Sequence, residues 1–213
     1  MIRPTKLVAV VGTSTEVGKT WVTCRLLGEL RSARRTVAVR KPAQSFEPGS
    51  GPTDADLLAA ASGEPLHQVC PPHRWYRVPM APPMAIDALG LEPVTTRELL
   101  AELAWLAGVD VGVVETVGGV RSPLANDGDS LDLTAALAPD VVILVAHAGL
   151  GTINDVRLGA DAIAGAVGFS PIVFLNHFDP GDDLHRRNLA WLAERDRYTV
   201  ATSPAALAAG LVA

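Results

Sequence analysis

Gly12-Thr13-Ser14-Thr15-Glu16-Val17-Gly18-Lys19-Thr20 is the stretch on which the fold turns. Before it, Lys6 to Val11 is a β-branched, apolar run that predicts a short buried strand closed by Gly12. After it, Val22, Leu26, Leu27 and Leu30 recur at helical spacing and predict a helix from Lys19 to Arg34. A glycine-bearing turn that leaves a strand and opens a helix is the setting of a phosphate-binding loop. Gly18 lets the backbone pass close to phosphate oxygens, and amides at the helix start donate to them, with Glu16 and Val17 completing the nucleotide-binding turn. Lys19 brings a point charge to the β- and γ-phosphates, and Thr20 offers a hydroxyl to Mg²⁺. Trp21, directly after Thr20, is expected to pack beneath the loop. The usual form of the loop has a glycine at position 13; here Thr13 stands there and Gly12 lies one step further out. That relaxed spacing points to a subset of P-loop proteins whose sheet carries further motifs.

Outward from the loop, strands and helices alternate. Thr36 to Val39, Val111 to Val114, Val141 to Val145, Ile172 to Leu175 and a short run near Thr199 to Ala201 read as strands. Asp54 to Ala61, stopped by Gly63, reads as a helix, as do Leu131 to Leu137, Ile153 to Ala164, Asp182 to Glu194 and the segment from Pro204. Thr95 followed by Glu98 is a capping box for a helix expected to run through Leu106. Near-continuous apolar strands between helices predict an α/β fold, a mostly parallel sheet with helices on both faces, in one P-loop NTPase domain over residues 1–213. From Gly63 to Pro93, Pro65, Pro71, Pro72, Pro79, Pro82, Pro83 and Pro93 break any long regular element. Trp75, Tyr76 and Met80 give this excursion apolar groups to dock, and Trp75 is expected to cover the site. Trp105 and Trp191 read as core residues of helix faces.

The bulk composition agrees. In 213 residues, 48% are hydrophobic and 19% charged, which excludes disorder and leaves room for one large core. A net charge of −5 gives no reason to expect nucleic acid or an anionic membrane as partner. Cys24 and Cys70 are too few for a disulfide framework. No basic-then-apolar leader precedes the first strand and no apolar run approaches the ~18 residues that span a bilayer, so the cytoplasm is the expected location.

Three more positions carry chemistry. Lys41-Pro42 follows the second strand, at the edge where ligands collect in open α/β sheets. Asp54 opens a helix, where it could serve as a cap or as a metal ligand. Glu115 closes an apolar strand before Gly118-Gly119, a position that suits a metal carboxylate. With Thr20, these two carboxylates would give Mg²⁺ three hard oxygen ligands and leave room for phosphate oxygens and water.

The ordered set of the loop, Lys41-Pro42, Asp54, Pro79-Met80-Ala81-Pro82, Val114-Glu115, Gly118-Gly119, Leu150-Gly151-Thr152-Ile153-Asn154 and Asn176 resembles dethiobiotin synthetase over residues 6–180. Members of that family form homodimers and close a cyclic urea on 7,8-diaminononanoate from CO₂ and a nucleoside triphosphate, ATP or CTP. The resemblance implies that Lys41 is the catalytic lysine and that Lys19 bridges the phosphates. It implies Thr20, Asp54 and Glu115 as the Mg²⁺ set, and Thr15 and Ser45 as contacts to the diamine or carbamate. It gives the Leu150, Gly151, Ile153 and Asn154 turn to the substrate carboxylate across the dimer interface, and Asn176 to the nucleobase.

Departures from the family pattern fall around the substrate and base pockets. Ser14 replaces a usual aspartate, Phe46 a common glycine, and Thr116-Val117 a Gly-Ala pair, adding bulk near the expected phosphates. Ala148-Gly149 stands before Leu150, where an acidic residue or lysine is common. A related ligase acting on another carboxylate, and a nucleotide-switch ATPase, are the competing readings. The first usually carries a glutamine-amidotransferase domain, for which 213 residues leave no room. The second characteristically has a lysine early in the loop, where Thr13 and Ser14 stand.

Overall fold

Apolar strands and capped helix starts assemble the chain, whose computed structural model describes residues 2–212, into a parallel sheet clothed by helices. β1 (Lys6–Gly12) leads through the loop into α1 (Lys19–Ser32), and β2 (Val37–Arg40) follows. The excursion then holds β3 (Gln44–Ser45), α2 (Asp54–Ser62), α3 (Leu66–Val69), a 3₁₀ turn at Pro72–Arg74, β4 (Trp75–Tyr76) and α4 (Pro82–Leu89). After α5 (Thr96–Ala101) come β5 (Val111–Gly119), a hairpin of β6 (Pro123–Ala125) and β7 (Gly128–Asp129), and α6 (Ser130–Leu137). The last third is β8 (Val141–His147), α7 (Thr152–Val167), β9 (Ile172–Asn176), α8 (Asp183–Ala190) with a π turn at Trp191–Arg195, β10 (Val200–Ala201) and α9 (Pro204–Val212).

The main sheet runs β10-β9-β8-β1-β5-β2 with every pairing parallel. β1 alternates faces as a strand must. Val8 and Val10 pack with Val22, Leu26 and Leu30 of α1, while Ala9 and Val11 pack with Leu144 of β8 and Ala160 and Ile163 of α7. Because β1 is central and buried on both sides, the loop at its carboxyl end sits in the middle of the sheet edge, where open α/β sheets hold ligands.

Several elements differ from the sequence expectation for definable reasons. The helix after Thr95 stops at Ala101 instead of Leu106, because Leu103 and Trp105 turn inward onto Leu7, Ala38 and Val114. Arg40 holds that turn, donating from Nε to the Ala104 carbonyl at 2.7 Å with its guanidinium over the Trp105 ring. Pro82 and Pro83 start α4 instead of breaking it, since proline is tolerated in the first helical turn. The strand expected to end near Glu115 runs on to Gly119. Trp191 is 43% exposed between the guanidinium groups of Arg157 and Arg195, so it is a surface stack and not core. Trp75 is half-buried against the core, its indole N–H donating to the Cys70 carbonyl at 3.0 Å, and does not line the site cavity. No helix among the described residues is long and apolar enough to cross a membrane.

Candidate functional site

The phosphate loop is shaped by what it packs on. Val17 is buried in the core beside α1, and Thr13 N–H donates to the Val145 carbonyl at 2.9 Å, so both ends of the turn are tied down. Between them Glu16 (φ 61°) and Gly18 (φ 90°) take left-handed backbone. Gly12 carries the close approach expected of the glycine missing at position 13: a Cβ there would lie 2.8 Å from the Ser14 carbonyl oxygen and 3.0 Å from Lys19 Nζ. Asn176, at the end of β9, donates from Nδ2 to the Val17 carbonyl at 2.9 Å and braces the turn from behind.

β5 delivers the acidic group and a carbonyl. Its register on β1 is Val10↔Glu115 and then Gly12↔Gly119, so Thr116, Val117 and Gly118 bulge outward. The bulge sets the Gly118 carbonyl 2.7 Å from Lys19 Nζ, which also donates to Ser14 O at 3.3 Å. Thr116 turns its hydroxyl back to the Val10 carbonyl at 3.3 Å and adds no bulk to the cavity; Val117 does line it.

Lys41 sits where three elements meet. Its backbone N–H is fixed to the Val69 carbonyl at 2.8 Å. Its ammonium lies 2.8 Å from both Glu115 Oε1 and Asp54 Oδ2. Thr20 donates from Oγ1 to the same Glu115 Oε1 at 2.7 Å, and Glu115 Oε2 is buried with no partner among the described residues. Asp54 is the first residue of α2, whose start is held by reciprocal hydrogen bonds between Thr53 and Asp56.

Burial and charge act differently on the two lysines. Burial, with the neighbouring Lys41 charge, pulls Lys19 down to about 8. Burial also pulls on Lys41, but the Glu115 and Asp54 carboxylates outweigh it and hold Lys41 above the usual lysine value. The Lys41 charge in turn holds Asp54 below the usual aspartate range, against the pull of burial.

These groups open on a cavity of about 810 Å³. Of the residues expected from sequence, Thr15, Glu16, Gly18, Lys19, Thr20, Lys41, Ser45, Asp54 and Gly118 line it, and Glu115 touches Thr20 and Lys41 from below. Val17 and Asn176 lie behind the loop. Trp21, expected beneath the loop, instead points outward at 48% exposure with Arg25 over its ring. Leu150, Gly151, Ile153 and Asn154 are outside this cavity. Leu150 is 93% exposed, and the Asn154 amide bonds Asp155 at 3.1 Å. Gln44, Glu47, Ser122 and Met80 also line the cavity. Of these only Met80 belongs to a motif legible in the sequence, Pro79-Met80-Ala81-Pro82; an isolated polar residue carries no comparable signal.

The AAA_26 family model, an AAA domain, matches residues 6–171. The chain is similar to the ATP-dependent dethiobiotin synthetase BioD of Anaeromyxobacter dehalogenans (strain 2CP-C), 38% identical over 200 residues covering 88% of this chain and 85% of that one. It is also similar to the proteins of the same name from Haloferax mediterranei, at 36% identity covering 92% and 82%, and Caulobacter vibrioides, at 35% covering 83% of each. Among solved structures, a protein of Borrelia burgdorferi B31 described as a plasmid partition protein and bound to AMPPNP superposes with a TM-score of 0.56 at 14% identity, covering 94% and 87%. Chloroplast FtsY from Physcomitrella patens gives 0.53 at 14%, and this chain, covered to 96%, spans 61% of it. Those two likenesses speak to the fold alone. By its identity to the named relatives over most of its length, the chain belongs to the ATP-dependent dethiobiotin synthetase family.

Proposed function

We propose that the protein closes the cyclic urea of dethiobiotin on 7,8-diaminononanoate, using CO₂ and ATP, as a step of biotin biosynthesis. The observation that carries this reading is the Lys41 ammonium, held 2.8 Å from both Asp54 and Glu115 in the same cavity as the phosphate loop. A P-loop alone would serve any nucleotide hydrolase. A second buried lysine beside the γ-phosphate position, its charged form favoured by Glu115 and Asp54, serves a reaction in which an anionic nucleophile must meet an anionic phosphate.

The chemistry needs positioning and charge stabilisation more than covalent help. One substrate amine traps CO₂ as a carbamate. A carbamate oxygen attacks the γ-phosphorus and ADP leaves; the second amine then attacks the carbamoyl carbon, phosphate leaves, and the ring closes. Lys19 faces the β- and γ-phosphates. Lys41 offsets the charge of carbamate and transferring phosphoryl group, its ammonium form favoured by the two neighbouring carboxylates. Thr15 and Ser45 line the cavity as hydrogen-bonding groups for the diamine or carbamate.

The oxygen set fits Mg²⁺. Thr20, Asp54 and Glu115 supply a hydroxyl and two carboxylates, and the buried, unpartnered Oε2 of Glu115 is an acceptor in want of a cation. When bound, Mg²⁺ neutralises charge on the β- and γ-phosphate oxygens.

The functional unit in this proposal is a homodimer in the cytoplasm. In it the exposed Leu150 turn, which lies outside the cavity of its own chain, serves the substrate carboxylate held by the partner. Purified protein with the diamine, bicarbonate, Mg²⁺ and either ATP or CTP, analysed by mass spectrometry, tests the assignment. Dethiobiotin formed only with nucleotide and diamine is the expected result. No product from protein that binds nucleotide would overturn it and favour a different acid substrate.

A further inference from the structure

We propose that Gln44 is a further substrate-binding residue, its side-chain nitrogen donating to an anionic oxygen of the carbamate. The inference deepens the reading as a dethiobiotin synthetase and rests on it. Gln44 lines the cavity yet is only 3% exposed. Its backbone is fixed by the two-residue parallel bridge Gln44↔Trp75 and Ser45↔Tyr76. The amide oxygen accepts the Ala55 backbone N–H at 3.0 Å, in the first turn of α2 directly after Asp54.

That bond settles the orientation of the amide. Ala55 N–H can only meet an acceptor, so a flipped amide would set donor against donor. The nitrogen is therefore the free end, and it is buried with no partner among the described residues. Ser45 Oγ lines the same cavity and is likewise buried without a partner. Two neutral hydrogen-bonding groups follow closely on Lys41 after β2 and line the same cavity as its ammonium. Such a set calls for a ligand rich in acceptor oxygens and carrying negative charge. Phosphate oxygens are the province of the loop. The oxyanion left for Gln44 is the N-carboxylate of the substrate, the one group in the reaction that is both anionic and newly made next to Lys41.

Gln44→Glu and Gln44→Met separate this role from a structural one. Glutamate keeps an oxygen for Ala55 N–H and replaces the donor nitrogen by a second oxygen; methionine removes both. Thermal melting and full kinetics for the diamine and for ATP are measured on both variants beside the wild type. For Gln44→Glu the expected result is a kcat/KM for the diamine lower by at least roughly ten- to a hundredfold, from the lost donor and from the repulsion between the new carboxylate and the carbamate. The KM for ATP stays put. Gln44→Met shows the part of that loss due to the donor, with a lowered Tm. Wild-type kinetics in Gln44→Glu, with only Tm lost in Gln44→Met, would reduce Gln44 to a helix-start acceptor and overturn the proposal. A rise in the KM for ATP in place of the diamine effect would assign the nitrogen to the triphosphate and overturn it too. A wild type that forms no dethiobiotin removes the functional reading and Gln44's role together, an outcome distinct from a failure of the variants alone.

Discussion

Lys41 and Lys19 show how one residue type is set to two states within one cavity. Lys41, 2% exposed, has two carboxylates at 2.8 Å; Lys19, 7% exposed, has among the described residues only carbonyls within hydrogen-bond reach and a second ammonium nearby. Lys41→Met leaves the fully buried Glu115 without its counter-ion, a change that costs about 3–5 kcal/mol. The expected outcome is a lowered Tm and a kcat/KM reduced on the order of 10²- to 10³-fold, read from melting and initial rates. Lys19 sets a pH dependence of opposite sense to an ordinary ion pair. Its folded value, about 8, lies below its unfolded value of 10.5. Below pH 8 both states hold the proton and the folded state bears a net penalty of about 3 kcal/mol, from burial and the Lys41 charge less the attraction of Glu115 and Asp54. Between about 8 and 10.5 the unfolded chain alone is protonated, so this contribution makes the nucleotide-free protein more stable as pH rises. Nucleotide binding runs the other way: the phosphates need the ammonium, and affinity for ATP falls above pH 8 by up to about tenfold per pH unit. Denaturant melts and nucleotide titrations across pH 7 to 10 check both signs.

At the scale of elements, two reciprocal caps make a matched pair. Thr53 with Asp56 starts α2 and so aims Asp54; Thr95 with Glu98 starts α5, away from the site. Thr53→Ala and Thr95→Ala are each expected to lower stability by about 1 kcal/mol. Only Thr53→Ala is expected to lower kcat/KM as well, and equal activity in the two variants would detach the α2 start from catalysis. The caps at Thr95 and at Gly63 were legible in sequence because capping is local chemistry. The same is true of the strands of the main sheet, whose apolar runs have no other use than burial on two faces. The helix end at Ala101 was not legible, since it is decided by Trp105 meeting Arg40 from β2. Nor was the bulge after Glu115, because two glycines in a row read as the end of a strand while the pairing with β1 carries them on. Within the site, the charged residues announced themselves by position after strands and at helix starts. Gln44 did not, for its meaning lies in one orphaned nitrogen that only the packing of α2 reveals.

At the scale of the molecule, the cavity and the Leu150 turn are separate surfaces of one chain, and the proposed dimer joins them between chains. Lys41→Ala damages the cavity alone, and Asn154→Ala the turn alone. Each variant by itself is expected to be nearly inactive, and a mixture allowed to exchange subunits is expected to recover product formation, since one of its mixed sites is intact. No recovery, with exchange shown by mass spectrometry of labelled subunits, would place turn and cavity in the same chain. A second connection runs through the sheet itself. Asn176 closes β9, two places from β1 in the strand order, and its amide occupies the very space that a Cβ on Gly18 would enter. Gly18 is bound to glycine a second time by its left-handed backbone. The two positions therefore cannot drift one after the other. A larger residue at 18 is blocked until 176 shrinks, and a shrunken 176 no longer reaches the Val17 carbonyl. In a saturation screen these two columns will be nearly empty, and pairwise libraries will refill them little, because no partner for a side chain at 18 also corrects its φ.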